Sequence, residues 1–146
     1  MTDTSVHIPP TAHGPGGFRR GSLLVFRGLA GITLLACVVQ IVFAGLGAYG
    51  ASFDAHRVLG GLIGLATILL VVIGLLARPN WSTVGLAVLV AVLAMAGQTI
   101  LANLGDDTDA WFGGIHALNG LVVMGLLSRL AFNVGFPDDR PAEAGE

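Results

Sequence analysis

Long uncharged stretches dominate the sequence and are separated by short clusters of charged residues. Four of these stretches are 26, 20, 27 and 19 residues long and rich in Leu, Val, Ala and Gly: residues 28–53, 58–77, 79–105 and 110–128. A helix rises about 1.5 Å per residue and a bilayer core is roughly 30 Å thick, so each stretch can cross a membrane as an α-helix. The pattern predicts an all-α fold, an integral membrane four-helix bundle.

The ends of the chain differ from its middle. Residues 1–20 are rich in Pro and Gly and are expected to form a disordered cytoplasmic tail, and residues 137–146 an acidic C-terminal tail. Residues 21–136 are expected to form the four-transmembrane-helix domain, with spans at about 22–47, 55–77, 82–105 and 110–133.

Composition excludes several other classes of protein. The chain is 54% hydrophobic and only 11% charged, whereas a soluble domain carries about 25% charged residues. Its net charge of −2 offers no basic face for nucleic acid. The single cysteine, Cys37, lies in the first span, which excludes a disulfide framework and a Cys-rich metal site.

The distribution of arginine predicts the orientation. Five arginines fall on one side of the predicted spans: Arg19, Arg20, Arg27, Arg78 and Arg129. The loops on the other side are mainly acidic. Because arginine-rich segments stay in the cytoplasm, both termini are expected to be cytoplasmic.

An internal repeat relates the two halves of the domain. The pattern Q-x-x-x-A-x-L-G begins at Gln40 and again at Gln98, and H-x-x-x-G begins at His56 and again at His116. The repeat predicts a bundle built from two tandem helical hairpins.

The repeated histidines are the leading site candidates. His56 and His116 begin spans that run in the same direction, so they are expected at one depth, and ionisable groups within spans usually face a partner. Gly60 and Gly120 follow one turn later on the same helix face. Such small residues allow either close helix packing or a flat surface for a haem held between two imidazoles. Zinc fits less well because two histidines supply only half of a tetrahedral set.

Other polar residues near the histidines are candidates for supporting roles. Gln40 and Gln98 are expected either to bond across helices or to accept the free N–H of an axial imidazole. Asn119 is expected to hydrogen-bond either the backbone or a haem propionate. Arg57 is expected to pair with a propionate or, equally, to contact lipid or Asp54.

These residues resemble those of a known family. The pattern resembles one half of the haem A synthase bundle, a four-helix unit with paired haem-ligating histidines. It consists of a Gln, a Leu-Gly, a His-Arg at the start of the next helix, and then a second Gln followed by a His on the fourth helix. The spacing is also similar to that of small four-span bacterial membrane proteins of uncharacterised function. The resemblance covers roughly residues 28–129 and implies that His56 and His116 are the axial ligands of one haem.

The sequence also departs from that family. Haem A synthase has two such halves, an acidic residue three positions before its first histidine and commonly an extracytoplasmic cysteine pair. This chain has one half and no cysteine pair; Ser52 and Phe53 flank the acidic position, and Asp54 comes one residue later. The comparison therefore favours haem binding over catalytic modification of the haem.

The sequence thus predicts a b-type haem protein of the bacterial inner (plasma) membrane that transfers electrons, with His56 and His116 near the extracytoplasmic face. A quinone or another membrane redox protein is the expected partner besides the lipid bilayer, and symmetry also suggests a homodimer. The alternative is a non-enzymatic structural or accessory membrane subunit in which the histidines only pack.

Overall fold

The computed structural model describes residues 16–134 as four long helices. They are α1 (Gly17–Ala48), α2 (Asp54–Ala77), α3 (Trp81–Asp107) and α4 (Ala110–Phe132). Each is long and apolar enough to cross a membrane. The prediction of an all-α four-helix membrane bundle is confirmed, while the side on which the termini lie stays a prediction. Residues 1–15 and 135–146, which include most of the two predicted tails, lie outside the described residues.

The first helix begins earlier than its hydrophobic pattern suggests. The composition of residues 17–20 predicts a tail, but they form the first turn of α1. Arg19 explains the difference, because its guanidinium donates hydrogen bonds to the main-chain oxygens of Ala77 (3.1 Å) and Arg78 (2.6 Å). These carbonyls end α2 and have no partner within their own helix, so the arginine satisfies them and extends α1.

The helices pack in chain order around the bundle. Helix α1 packs against α2 and α4, and α3 packs against the same two helices. Helices α2 and α4 therefore face each other across one diagonal, and α1 and α3 across the other. The short connection after α2 makes α2 and α3 antiparallel neighbours, as expected. It is closed by Arg78, in a left-handed conformation (φ 45°), and by Asn80, whose side chain accepts from the Thr83 N–H at 2.7 Å.

The core occupies only one end of the bundle. We call residues 17–37, 63–94 and 123–134 the packed half, and residues 38–62 and 95–122 the site half. The large side chains that are completely buried all belong to the packed half and include Phe26, Leu70, Val90, Leu127 and Leu130. In the site half, Gly47 alone is buried.

The burial pattern repeats between the hairpins. Buried positions 63, 67, 70 and 74 of α2 correspond to buried positions 123, 127, 130 and 134 at a constant offset of 60. Positions 26, 30, 33 and 37 of α1 correspond to positions 83, 87, 90 and 94 of α3 at an offset of 57. The tandem hairpins thus repeat in their packing as well as in their polar motifs.

Glycines allow close contacts where each hairpin turns. A Cβ on Gly47 would lie 2.5 Å from the ring of Phe53, and one on Gly105 would lie 2.9 Å from the backbone nitrogen of Gly113. The glycine that ends each Q-x-x-x-A-x-L-G motif therefore brings the start of the next helix close to the end of the previous one.

Candidate functional site

The imidazoles of His56 and His116 lie next to each other in the site half. Their ring centroids are 6.1 Å apart and their planes are inclined by 53°. They come from α2 and α4, the two helices of one diagonal, so the rings meet between the hairpins. Both side chains are half-buried. The structure therefore brings together the pair that the repeat places at one depth.

Reciprocal hydrogen bonds tie His56 to the preceding helix. Its Nδ1 lies 3.3 Å from the main-chain oxygen of Gln40, and the Gln40 Nε2 donates to the main-chain oxygen of His56 at 2.7 Å. The carboxamide oxygen of Gln40 is buried and has no hydrogen-bond partner among the described residues. The main-chain oxygen of Gln40 thus contacts the His56 ring, and the side chain of Gln40 bonds the backbone of α2.

The second hairpin repeats this arrangement. The Nδ1 of His116 lies 3.1 Å from the main-chain oxygen of Gln98. With the carboxamide oriented to satisfy its surroundings, the Gln98 Nε2 donates to the His116 main-chain oxygen at 3.1 Å, and its Oε1 accepts from the Gly120 N–H at 3.1 Å. The same Nε2 is 2.7 Å from His116 Nδ1, so this ring nitrogen donates to the carbonyl in one tautomer and accepts from the carboxamide in the other.

The two glycines make room for the glutamines. A Cβ on Gly60 would lie 3.1 Å from the carboxamide of Gln40, and one on Gly120 would lie 3.2 Å from that of Gln98. Gly64, one turn further along α2, is covered by the Met95 side chain. Of the two alternatives for the glycine stripe, close helix packing or a flat surface for a haem, the structure shows close contacts with side chains of neighbouring helices.

A π turn in α3 is a feature that sequence reasoning missed. Residues Leu93–Gly97 form the turn, immediately before Gln98. The Asn119 Nδ2 donates to the main-chain oxygen of Leu93 at 3.0 Å, and the absence of a side chain on Gly97 leaves space for Asn119. Of the two roles expected for Asn119, the structure shows the backbone contact. The available signal was the change of repeat offset from 57 in the core of α3 to 58 at Gln98.

The remaining candidates lie at the rim or in the core. Arg57 forms an ion pair with Asp54 at 3.5 Å, and both side chains are largely exposed. Phe53 presents its ring edge-on to His56, with centroids 6.0 Å apart. Cys37 is buried in the packed half, in agreement with a packing role.

Side chains that approach one another can hold a metal ion as a group. Within residues 16–134, no group of three or more His, Cys, Asp or Glu side chains is suitably placed for one. His56 and His116 are therefore not joined by a third such side chain among those residues.

Comparison with known proteins gives one partial match. A model for a family of unknown function (DUF6220) matches residues 40–105, which is less than half of the chain. The matched stretch begins at Gln40, includes His56 and Gln98, and ends before His116. No curated protein matches the chain. No solved structure matches it either.

Proposed function

We propose that this membrane protein binds one b-type haem between His56 and His116 and transfers single electrons in the bacterial inner membrane. The observation that carries the proposal is the pair of imidazole rings 6.1 Å apart on diagonal helices. Two rings from different hairpins reach this separation in a membrane-spanning bundle, where each ionisable side chain is costly and is retained mainly for function.

The separation of the rings fits coordination of one metal ion between them. An ion between the rings would be held by one nitrogen of each imidazole, with metal–nitrogen bonds of about 2.0 Å. The 6.1 Å between the ring centroids supports this arrangement, because it is longer than two such bonds together.

The glutamines prepare both histidines for this role. In the tautomer that carries its proton on Nδ1, His56 donates to the main-chain oxygen of Gln40, and His116 donates to that of Gln98 when the Gln98 carboxamide does not present its Nε2 to Nδ1. The lone pair then resides on Nε2, the nitrogen available to a metal, and the hydrogen bond at Nδ1 fixes the ring orientation. If haem is bound, His56 and His116 would hold its iron and leave no position open for oxygen, so that the group would supply single-electron transfer.

Residues at the rim favour electron transfer over chemistry on the haem. Phe53, an apolar ring, occupies the position where the haem A synthase pattern has an acid. Arg57 stands beside His56 and carries a guanidinium that suits a propionate, in exchange for its exposed contact with Asp54. A quinone or a membrane redox protein is the proposed electron partner.

One observation favours a second candidate, an accessory membrane subunit with packing histidines. The reciprocal bonds between Gln40 and His56 satisfy the Nδ1 and a main-chain oxygen without any ligand. In that case the two histidines would only join the helices of each hairpin, and their approach to each other would be a consequence of the repeat.

A reduced-minus-oxidised absorption spectrum of the purified protein in detergent separates the two candidates. We expect sharp low-spin Soret and α bands in the wild type, and their loss in both His56→Ala and His116→Ala. His13→Ala, in the N-terminal tail, is the matched control and should keep the bands. A wild type that stays colourless when haem is supplied during expression would overturn the haem proposal and leave the accessory role.

A further inference from the structure

The second hairpin contains one residue more than the first between its core and its glutamine. In α1 the buried positions 30, 33 and 37 are followed by Gln40, whereas in α3 positions 87, 90 and 94 are followed by Gln98. The spacing after the last buried position is therefore three residues in α1 and four in α3. In a regular α-helix one extra residue would turn Gln98 by about 100° around the axis.

The π turn absorbs this extra residue. Residues Leu93–Gly97 form the wide turn, and the Gln98 N–H bonds to the main-chain oxygen of Leu93, five residues earlier. A π turn adds one residue to a helix without changing the face that follows it. Gln98 therefore lies opposite His116, as Gln40 lies opposite His56, and Gly97 is the additional residue in the alignment of the repeats.

Asn119 stabilises the turn from the neighbouring helix. Its Nδ2 donates to the Leu93 oxygen at 3.0 Å, so this carbonyl accepts from Gln98 within α3 and from Asn119 in α4. Gly97 leaves the room that Asn119 needs, because a Cβ there would be 3.2 Å from Nδ2. One turn away on α4, His116 bonds Gln98 itself.

The first hairpin has neither feature. Its counterpart of Asn119, at the offset of 60 that relates α2 to α4, is Leu59, and α1 is a continuous α-helix through Gln40. The second hairpin, which has the inserted residue, therefore carries the polar Asn119. The first hairpin, which lacks the insertion, carries the apolar Leu59 at the matching position.

We infer that Asn119 and the π turn form a positioning device that aligns Gln98 with His116 and thereby matches the second hairpin to the first. Asn119 is a positioning residue that acts through the Leu93 carbonyl and Gln98, with no contact to a ligand. This positioning role applies to the histidine pair whichever ligand it binds. Only the test by haem affinity rests on the proposed function.

The repeat supplies a rescue experiment. Asn119→Leu introduces the residue found at the matching position of the first hairpin and should lower haem affinity about tenfold. This is the lower end of the loss seen when a group that supports metal-ligating residues is removed. Deleting Gly97 in the same chain removes the inserted residue, lets α3 run as α1 does, and should restore affinity to within about threefold of wild type. The matched control is Asn103→Leu, an exposed asparagine of α3, which should bind haem normally.

A purely structural role for Asn119 predicts a different result. The deletion would then add its own damage to that of Asn119→Leu, and affinity would fall further. Either additive loss or unchanged affinity in Asn119→Leu would overturn the inference. If Asn119→Leu does not accumulate, Asn119→Ala removes the donor without added bulk and should show the same loss of about tenfold.

A readout without haem separates failure of this inference from failure of the proposed function. In ¹⁵N-histidine NMR spectra of the haem-free protein in detergent, Asn119→Leu should shift the ring-nitrogen signals of His116 and leave those of His56 unchanged. Deletion of Gly97 should return the His116 signals toward wild type. Equal shifts at both histidines, or none at His116, would refute the positioning role even if the protein binds haem.

Discussion

The two halves of the bundle are built on different principles. The packed half holds the completely buried apolar side chains, such as Phe26, Leu70 and Leu127. In the site half the helices of each hairpin are joined by Gln–His hydrogen bonds, and Gly47 is the one buried residue among positions 38–62 and 95–122. The bundle is thus held at one end by apolar packing and organised at the other by polar contacts.

This difference assigns stability and function to separate regions. Lipid is as apolar as leucine, so helices in a membrane associate through close packing, which the packed half supplies. Interhelical hydrogen bonds in membranes contribute about 0.6 kcal/mol each and serve mainly to orient groups. Changes in the packed half should therefore alter folding most, and changes in the site half should alter ligand binding most.

The largest effect on folding is expected for Phe26→Ala. Phe26 is 0% exposed and its ring packs on Gly74, so truncation leaves a cavity that costs about 3–5 kcal/mol in the free energy of unfolding. Denaturant unfolding in detergent measures it. Phe132→Ala, at a ring that is 67% exposed, is the control, with a change of about 0.5 kcal/mol. Equal losses in the two variants would show that the packed half does not hold the bundle together.

Gly60→Ala should affect the site more than the fold. The added methyl lies 3.1 Å from the Gln40 carboxamide and must displace it, so we expect haem affinity to fall about tenfold. Gly120→Ala should behave alike, since the corresponding distance is 3.2 Å. Gly61→Ala, where nothing lies within 4 Å, controls for helix propensity and should keep the affinity. The same affinity in Gly60→Ala and Gly61→Ala would mean that the carboxamides do not organise the site.

Gln40→Leu tests how much of the site depends on side chains. The substitution removes the bond from Nε2 to the His56 main-chain oxygen but leaves the main-chain oxygen that faces His56 Nδ1. We expect a loss of about 0.6 kcal/mol in unfolding free energy. The α band of the haem spectrum should persist, because the orientation of the ring is retained. Complete loss of that band would show that the main-chain contact alone does not orient His56.

The smallest effect, and the one of opposite sign, is expected for Arg78→Gly. Arg78 ends α2 in a left-handed conformation (φ 45°) that glycine adopts without steric cost. The unfolding free energy should rise by about 0.5 kcal/mol, since Arg19 bonds to the main chain of residue 78 and not to its side chain. Arg20→Gly, inside the first turn of α1, is the control and should lower stability by about 1 kcal/mol. A loss in Arg78→Gly would indicate that this guanidinium contributes to the bundle.

Much of the architecture follows from one-dimensional patterns. The uncharged stretches predicted four helices because the thickness of a membrane sets the length of a span. The start of α1 was harder to predict from the sequence, because residues 17–20 are polar and contain glycine. Only the contact of Arg19 with the end of α2 shows why they are helical. The cytoplasmic location of the termini, the haem and its electron partner remain predictions.

The members of the histidine and glutamine cluster could be predicted from the sequence, but their contacts could not. Two rare residue types repeated at similar spacing identified His56 and His116 with Gln40 and Gln98 as a set. Two roles were expected for each glutamine, bonding across helices or accepting from an imidazole. In the structure its side chain bonds across helices, and its main-chain oxygen faces the imidazole Nδ1. No pattern distinguishes a main-chain from a side-chain oxygen, because both belong to the same residue.

The sequence by itself determined the number of helices, the repeat and the pairing of residue types, because these depend on composition and on periodic spacing along the chain. Tertiary structure decided that α2 and α4 share a diagonal, that Gly60 and Gly120 accommodate glutamine side chains, and that Asn119 bonds a π turn in α3. These contacts join residues on different helices, and their distances depend on how the helices pack around one another. A single inserted residue in α3 is visible in the sequence, but only the packing against α4 shows that it is absorbed as a π turn and keeps Gln98 opposite His116.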